Sequence, residues 1–153
     1  MSGYQLLRDR RMTLAHDGGE AGCAKVLIVE DEFLVALQLE DILTDEGFRV
    51  VGTVPDRASL SLLSDPPDVA LVDLNLRDGL TGPEIARELA GAFATKVVYV
   101  TANPNQIGAP AATAVGIIQK PFSRAAILAA IDYALGRRAD PGPPAGLEPL
   151  RAN

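Results

Sequence analysis

Glu30-Asp31, Asp73, Thr101 and Lys120 each stand at the end of a short apolar run. Lys25-Val26-Leu27-Ile28-Val29 leads into Glu30-Asp31, and Val69-Ala70-Leu71-Val72 into Asp73. Val97-Val98-Tyr99-Val100 leads into Thr101, and Val115-Gly116-Ile117-Ile118-Gln119 into Lys120. As parallel strands of one sheet, these runs would deliver three carboxylates, a hydroxyl and an ammonium to one crevice. Adjacent carboxylates repel, and a hard divalent cation, Mg²⁺ or Mn²⁺, relieves that repulsion through oxygen ligands. Asp31 and Asp73 are the expected direct ligands. Glu30 is expected to act through a water, and the backbone carbonyl of Asn75 to complete the protein's share. A carboxylate held there can attack a phosphoryl group and form an acyl phosphate. Lys120 would then offer a point charge, and Thr101 a hydroxyl donor, to the phosphoryl oxygens.

The elements around these residues must form an alternating α/β domain. Phe33 to Glu46 carries a broad apolar helical face of Leu34, Leu37, Leu39, Ile42 and Leu43, and Gly47 ends it. Phe48 to Val54 reads as a strand. Asp56 to Ser64 reads as a short helix capped by Asp56. Pro83 opens a helix to about Ala92. Ser123 caps a last helix through Arg138, with Ile127, Leu128, Ile131 and Leu135 on one stripe. Five strands separated by helices imply a parallel sheet covered on both faces. The expected fold is a flavodoxin-like (βα)5 three-layer sandwich of order 2-1-3-4-5, whose crevice lies at the ends of the first and third strands.

Composition narrows the function classes. At 153 residues the chain is expected to hold one domain, residues 25–138. Residues 1–24 read as a flexible or partly ordered extension, with a candidate docking helix around Tyr4, Leu6 and Leu7. Residues 139–153 read as a Pro/Gly-rich tail. A net charge of −6 argues against a nucleic-acid surface. No apolar run is long enough to span a membrane, no signal-peptide core precedes Lys25, and a lone Cys23 fits a reducing cytoplasm. The single histidine, His16, lies outside the domain, which argues against a histidine-based hydrolase.

As a set, Glu30-Asp31, Asp73, Thr101-Ala102 and Lys120-Pro121-Phe122 resemble a bacterial response regulator receiver domain over residues 25–138. The resemblance implies a two-component signalling protein, not an enzyme acting on an external substrate. It implies Asp73 as phosphoacceptor, fed by a sensor histidine kinase or a histidine phosphotransfer protein. It implies Glu30 and Asp31 at the metal, Thr101 and Lys120 at the phosphoryl group, and a cis Lys120-Pro121 bond. With no effector segment in view, a stand-alone regulator is expected.

Two features depart from the family. Ile117 occupies the position, three residues before the lysine, where the family usually has an aromatic that couples to the threonine. Tyr99 shares the Thr101 side of its strand and is a candidate substitute beside its ordinary role in the core. Pro104, Gly108 and Pro110 predict a short or irregular fourth helix. This pattern is similar to an alphaproteobacterial branch paired with HWE-type kinases. The alanines of the last helix permit close helix approach, which fits a homodimer and fits simple core packing equally well. Two other functions compete: a small Mg²⁺-dependent phosphohydrolase, which would need a second acid where Asn75 stands, and a phosphorylation-independent binding module.

Overall fold

Continuous apolar runs and helical stripes alternate along the chain, and the runs become strands while the long stripes become helices. The computed structural model describes residues 23–150. The strands are β1 (Lys25–Val29), β2 (Arg49–Val54), β3 (Val69–Val72), β4 (Lys96–Thr101), β5 (Ala114–Gln119) and β6 (Glu148–Pro149). The helices are α1 (Phe33–Asp45), α2 (Gly82–Phe93) and α3 (Arg124–Ala134). Short 3-10 turns cover Ala58–Leu62 and Pro104–Gln106. The candidate docking helix near Tyr4, and His16, lie outside the described residues.

The sheet order is β2-β1-β3-β4-β5-β6. The first five strands are parallel in the expected 2-1-3-4-5 order, and β6 adds antiparallel to the outer edge of β5. Leu27, Val29, Ala70, Val72, Val97, Tyr99 and Ile117 face one side, where Ile85, Leu89 and Phe93 of α2 cover them. Val26, Ile28, Val69, Leu71, Val98, Val100 and Ile118 face the other, against α1 and α3. Strands buried on both faces read as continuous apolar runs, which explains their legibility in the sequence. A sheet register row joins Val29, Val72, Tyr99 and Ile117, so the strands end nearly level.

The short helix expected over Asp56 to Ser64 is a 3-10 turn over Ala58–Leu62, with Asp56 Oδ1 accepting from the Ser59 N–H at 2.8 Å. Three further features differ from the sequence reading. Leu34 and Leu37 of α1 face solvent with Phe33, while Ala36, Leu39, Ile42 and Leu43 are buried. The 3.6-residue period places positions 36, 39 and 43 on one face and carries 34 and 37 away from it. The last helix stops at Ala134, four residues short of Arg138, because Gly136 turns the chain at φ +69°. Ser123 caps its start as expected: Ala126 N–H donates to the Ser123 Oγ at 3.0 Å, a contact worth about 1 kcal/mol.

The third difference is the segment read as a tail. It returns to the sheet as β6, and Leu147 is buried against the α3 side of the core. The expected irregular fourth helix is a single 3-10 turn, Pro104–Gln106. Two prolines and Gly108 (φ +65°) leave no stretch there able to continue a helix.

Candidate functional site

The crevice lies at the carboxyl ends of β1 and β3, the point where strand order reverses. Glu30 directly follows β1 and is 2% exposed. Its N–H donates to the Val54 carbonyl at 3.0 Å, and its Oε2 accepts from the Glu32 N–H at 3.2 Å. Asp73 directly follows β3. Its N–H donates to the Val29 carbonyl at 2.9 Å, extending the β1–β3 ladder by one rung. Its Oδ1 accepts from the Leu74 N–H at 2.8 Å, which fixes the carboxylate's orientation.

Lys120 reaches across from the end of β5. Its Nζ donates to Glu30 Oε1 at 2.7 Å and to Asp73 Oδ2 at 3.0 Å. The Lys120 N–H donates to the Thr101 carbonyl at 2.9 Å, so β4 sets the height at which the lysine leaves the sheet. The Lys120-Pro121 bond is cis. Burial works against the ammonium charge, but the hydrogen bonds to Glu30 and Asp73 outweigh it and raise the Lys120 pKa. Burial pushes the Glu30 carboxyl up to about 7, against the Lys120 hydrogen bond and with the Asp73 charge adding to it. One ammonium therefore does not neutralise the pocket.

Asp31 is exposed at the mouth, and oxygen atoms of Glu30, Asp31 and Asp73 all lie within 4.8 Å of one another. An all-oxygen donor set with excess negative charge fits a hard divalent cation. Thr101 is fully buried, and its Oγ1 accepts from the Asn103 N–H at 3.0 Å, so in this state the hydroxyl orders the loop after β4. Asn75 is exposed and its side-chain amide donates to Gln106 Oε1 at 2.6 Å, tying the loop after β3 to the loop after β4.

Two contributors were not singled out from the sequence as part of the site. Gly82, at the start of α2, packs against the Asp73-Leu74 backbone, where a Cβ would fall 2.7 Å from Leu74 Cα. Its N–H donates to the Leu74 carbonyl at 3.0 Å. The Gly82-Pro83 pair reads as a helix start, and only the close approach shows why glycine is needed there. The second is Ala111, whose N–H donates to the Tyr99 hydroxyl at 3.0 Å. Tyr99 is thus a core residue and also an anchor for the loop after Thr101. It is paired across the sheet with Ile117, so an aromatic stands one strand away from the position where the family usually has one.

This fold and this crevice define a flavodoxin-like α/β protein with an acidic, lysine-bridged site at its switch point. The response regulator receiver domain model matches residues 26–132, and the chain belongs to that family of two-component signalling proteins. It is 31% identical over 115 residues to the phyllosphere-induced regulator PhyR of Methylorubrum extorquens, covering 72% of this chain and 43% of that protein. It is 31% identical over 128 residues to the transcriptional regulatory protein PdtaR of Mycobacterium tuberculosis, covering 79% of this chain and 61% of that protein. The chain thus spans less than two thirds of either relative. The solution structure of the Erythrobacter litoralis PhyR receiver domain superimposes with a TM-score of 0.67 at 31% identity, covering 81% of this chain and 98% of that one. The match to PhyR agrees with the expected alphaproteobacterial branch. No helix among the described residues is long and apolar enough to cross a membrane.

Proposed function

We propose that the protein accepts a phosphoryl group on Asp73 from a phosphohistidine, in a reaction dependent on Mg²⁺, and signals through protein contacts. The observation that carries this reading is the Lys120 ammonium held between Glu30 and Asp73 beside the acidic cluster. Glu30, Asp31, Asp73 and the Asn75 carbonyl would hold the cation, with Glu30 acting through a water. When bound, the cation supplies charge neutralisation for the carboxylates and the incoming phosphoryl oxygens.

In the transfer, an Asp73 carboxylate oxygen forms a bond to phosphorus as the bond from phosphorus to the donor imidazole nitrogen breaks. The imidazole leaves with the bonding electron pair. Lys120 would exchange its Asp73 hydrogen bond for a phosphoryl oxygen, and the Thr101 hydroxyl would turn from Asn103 to donate to another. Positioning and charge do most of the work in such a transfer. The protein would be a signalling phosphoacceptor that promotes only its own phosphorylation and dephosphorylation. Asn75 stands where a phosphohydrolase would need its second acid, and its amide is engaged with Gln106.

The exposed Phe33, Leu34 and Leu37 of α1 give the donor protein a place to dock. They lie on the helix that follows Asp31. A shallow cleft of about 360 Å³ between α1 and the cis bond, lined by Val35, Gln38, Lys120, Pro121 and Phe122, is part of the same surface. A sensor histidine kinase of HWE type or a phosphotransfer protein is the proposed partner, in the cytoplasm. Residues 25–138 are the proposed phosphoryl-responsive unit.

The test is intact-mass measurement after incubation with Mg²⁺ and acetyl phosphate, with Asp73→Asn as control. A gain of one phosphoryl group, lost in the control and lost with chelator, is expected. No gain from acetyl phosphate or from a panel of phosphorylated kinases, in a folded protein, would overturn the assignment.

A further inference from the structure

The outer edge of β5 is where the chain departs from a five-stranded plan. Glu148 and Pro149 pair antiparallel with Ile117 and Gly116. The Leu150 N–H donates to the Val115 carbonyl at 3.1 Å. Leu147 is 6% exposed and sits in the apolar cluster with Ile118, Ile127 and Ile131, while Leu150 packs on the cluster of the opposite face. The segment therefore straddles the sheet edge, with one leucine on each side.

The fit depends on residue type in both partners. A Cβ on Gly116 would lie 2.7 Å from the Glu148 carbonyl oxygen and 2.7 Å from the Leu147 side chain. The edge admits this segment only because residue 116 has no side chain. Gly146, at φ +87°, turns the chain in, and a Cβ there would lie 3.0 Å from the Cβ of Ala126. Part of the alanine surface of α3 is thus covered by the chain's own C-terminal segment.

The attachment itself is slight. β6 has two residues, both with exposed side chains. Residues 136–146, between α3 and this segment, form neither helix nor strand and include Gly136, Pro141, Gly142, Pro143 and Pro144. Residues 147–150 are held as a tethered peptide ligand would be, by two leucines and a few backbone hydrogen bonds. A tether favours the intramolecular complex only through effective concentration, and a second copy carries the identical ligand. Exchange of such an element between copies costs little, since the same contacts are remade. Pro149 has no N–H to offer on the far side of β6, so pairing stops there and does not run on into a larger sheet.

We propose that the outer edge of β5 is a strand-docking surface for residues 146–150 of a second copy of this chain, giving a strand-exchanged dimer in which each copy covers the other's Gly116 and Ile117. This goes beyond the phosphoryl reading and depends on no part of it.

Two variants of the full chain test the proposal by complementation, without any phosphoryl donor. Gly116→Val blocks the edge but leaves the segment intact. Leu147→Asp disables the segment but leaves the edge open. By light scattering, the unaltered chain is expected to show a dimer whose share grows with concentration, and each variant alone is expected to be monomeric. An unaltered chain that stays monomeric at every concentration overturns the proposal. Their mixture is expected to form a 1:1 complex of twice the mass, because the free segment of one meets the open edge of the other. A mixture that stays monomeric, with both variants folded by circular dichroism, overturns the proposal. If Gly116→Val fails to fold, a labelled peptide of residues 144–150 is titrated into Leu147→Asp and into the unaltered chain. Saturable binding is expected, at least about tenfold tighter to the variant, where no internal segment competes. If Leu147→Asp also fails to fold, saturable binding of the peptide to the unaltered chain supports the proposal. Absent binding, or equal binding to the two chains, overturns it.

Discussion

Gly82 runs so close to Asp73 that a Cβ on the glycine would lie 2.0 Å from the Asp73 carbonyl oxygen. The start of α2 is thereby pressed onto the backbone that aims the Asp73 carboxylate. Gly82→Ala must push the two apart. It is expected to destabilise the fold by about 1–3 kcal/mol, the usual cost of overpacking a core. Phosphoryl incorporation should fall at least tenfold even where the protein remains folded. Urea melts and intact-mass time courses with acetyl phosphate measure the two effects separately.

Lys120 neutralises part of an acidic pocket and also occupies Glu30 and Asp73. Its removal should act in opposite directions on metal and on phosphoryl transfer. Lys120→Met is expected to bind Mg²⁺ several-fold more tightly, since a competing cation has gone. It should lose phosphoryl incorporation by about a hundredfold, the loss typical of a removed charge-stabilising group. Calorimetric titration with Mg²⁺ and intact mass would check the pair. Weaker Mg²⁺ binding would show that the ammonium organises the metal ligands.

The Glu30 carboxyl is held at about 7 against an ordinary value of 4.5, first by burial. The folded chain therefore keeps a proton that the unfolded chain releases. The stability this contributes is full below about pH 4.5 and is lost as pH rises through about 7. Without metal, unfolding free energy should fall by on the order of 3 kcal/mol across that window. Added Mg²⁺ should flatten the profile by stabilising the ionised form. Urea melts at about pH 5 and about pH 8, with chelator and with Mg²⁺, test both the sign and the reversal.

Tyr99 ties the loop after Thr101 to the core through the Ala111 N–H. Tyr99→Phe removes only the hydroxyl. The expected cost is about 1 kcal/mol, the usual worth of one buried hydrogen bond. Amide exchange at Ala111 and its neighbours should accelerate, while phosphoryl incorporation persists. If Tyr99 serves in place of the missing aromatic at Ile117, the difference in exchange of residues 103–113 with and without a phosphoryl mimic should shrink in the variant.

The α1 surface separates donor recognition from chemistry. Leu34 is 76% exposed, so Leu34→Asp should leave stability within about 0.5 kcal/mol of the unaltered chain. Phosphoryl incorporation from acetyl phosphate should be unchanged, and transfer from a phosphorylated histidine kinase should fall at least tenfold. Equal losses with both donors would remove this face from the docking role.

The sequence by itself determined the strand runs, the order of the parallel sheet and the residues at each strand end. It could do so because strands buried on both faces need unbroken apolar residues, and the polar residues that end them are then conspicuous. The irregular segment after Thr101 was legible for the same local reason, its prolines and Gly108. Tertiary structure decided what depends on distance between elements far apart in the chain. It set the Lys120 bridge to Glu30 and Asp73, since charge pairing across the crevice has no local signature. It assigned Gly82 and Gly116 their meaning, because a glycine needed for close approach reads in sequence like any other. It turned Leu34 and Leu37 outward, where helical phase and not hydrophobicity sets the buried face. It brought Leu147 back to the sheet from a segment whose prolines and glycines read as a tail, because one buried leucine and an available strand edge outweigh a local composition that favours no regular structure.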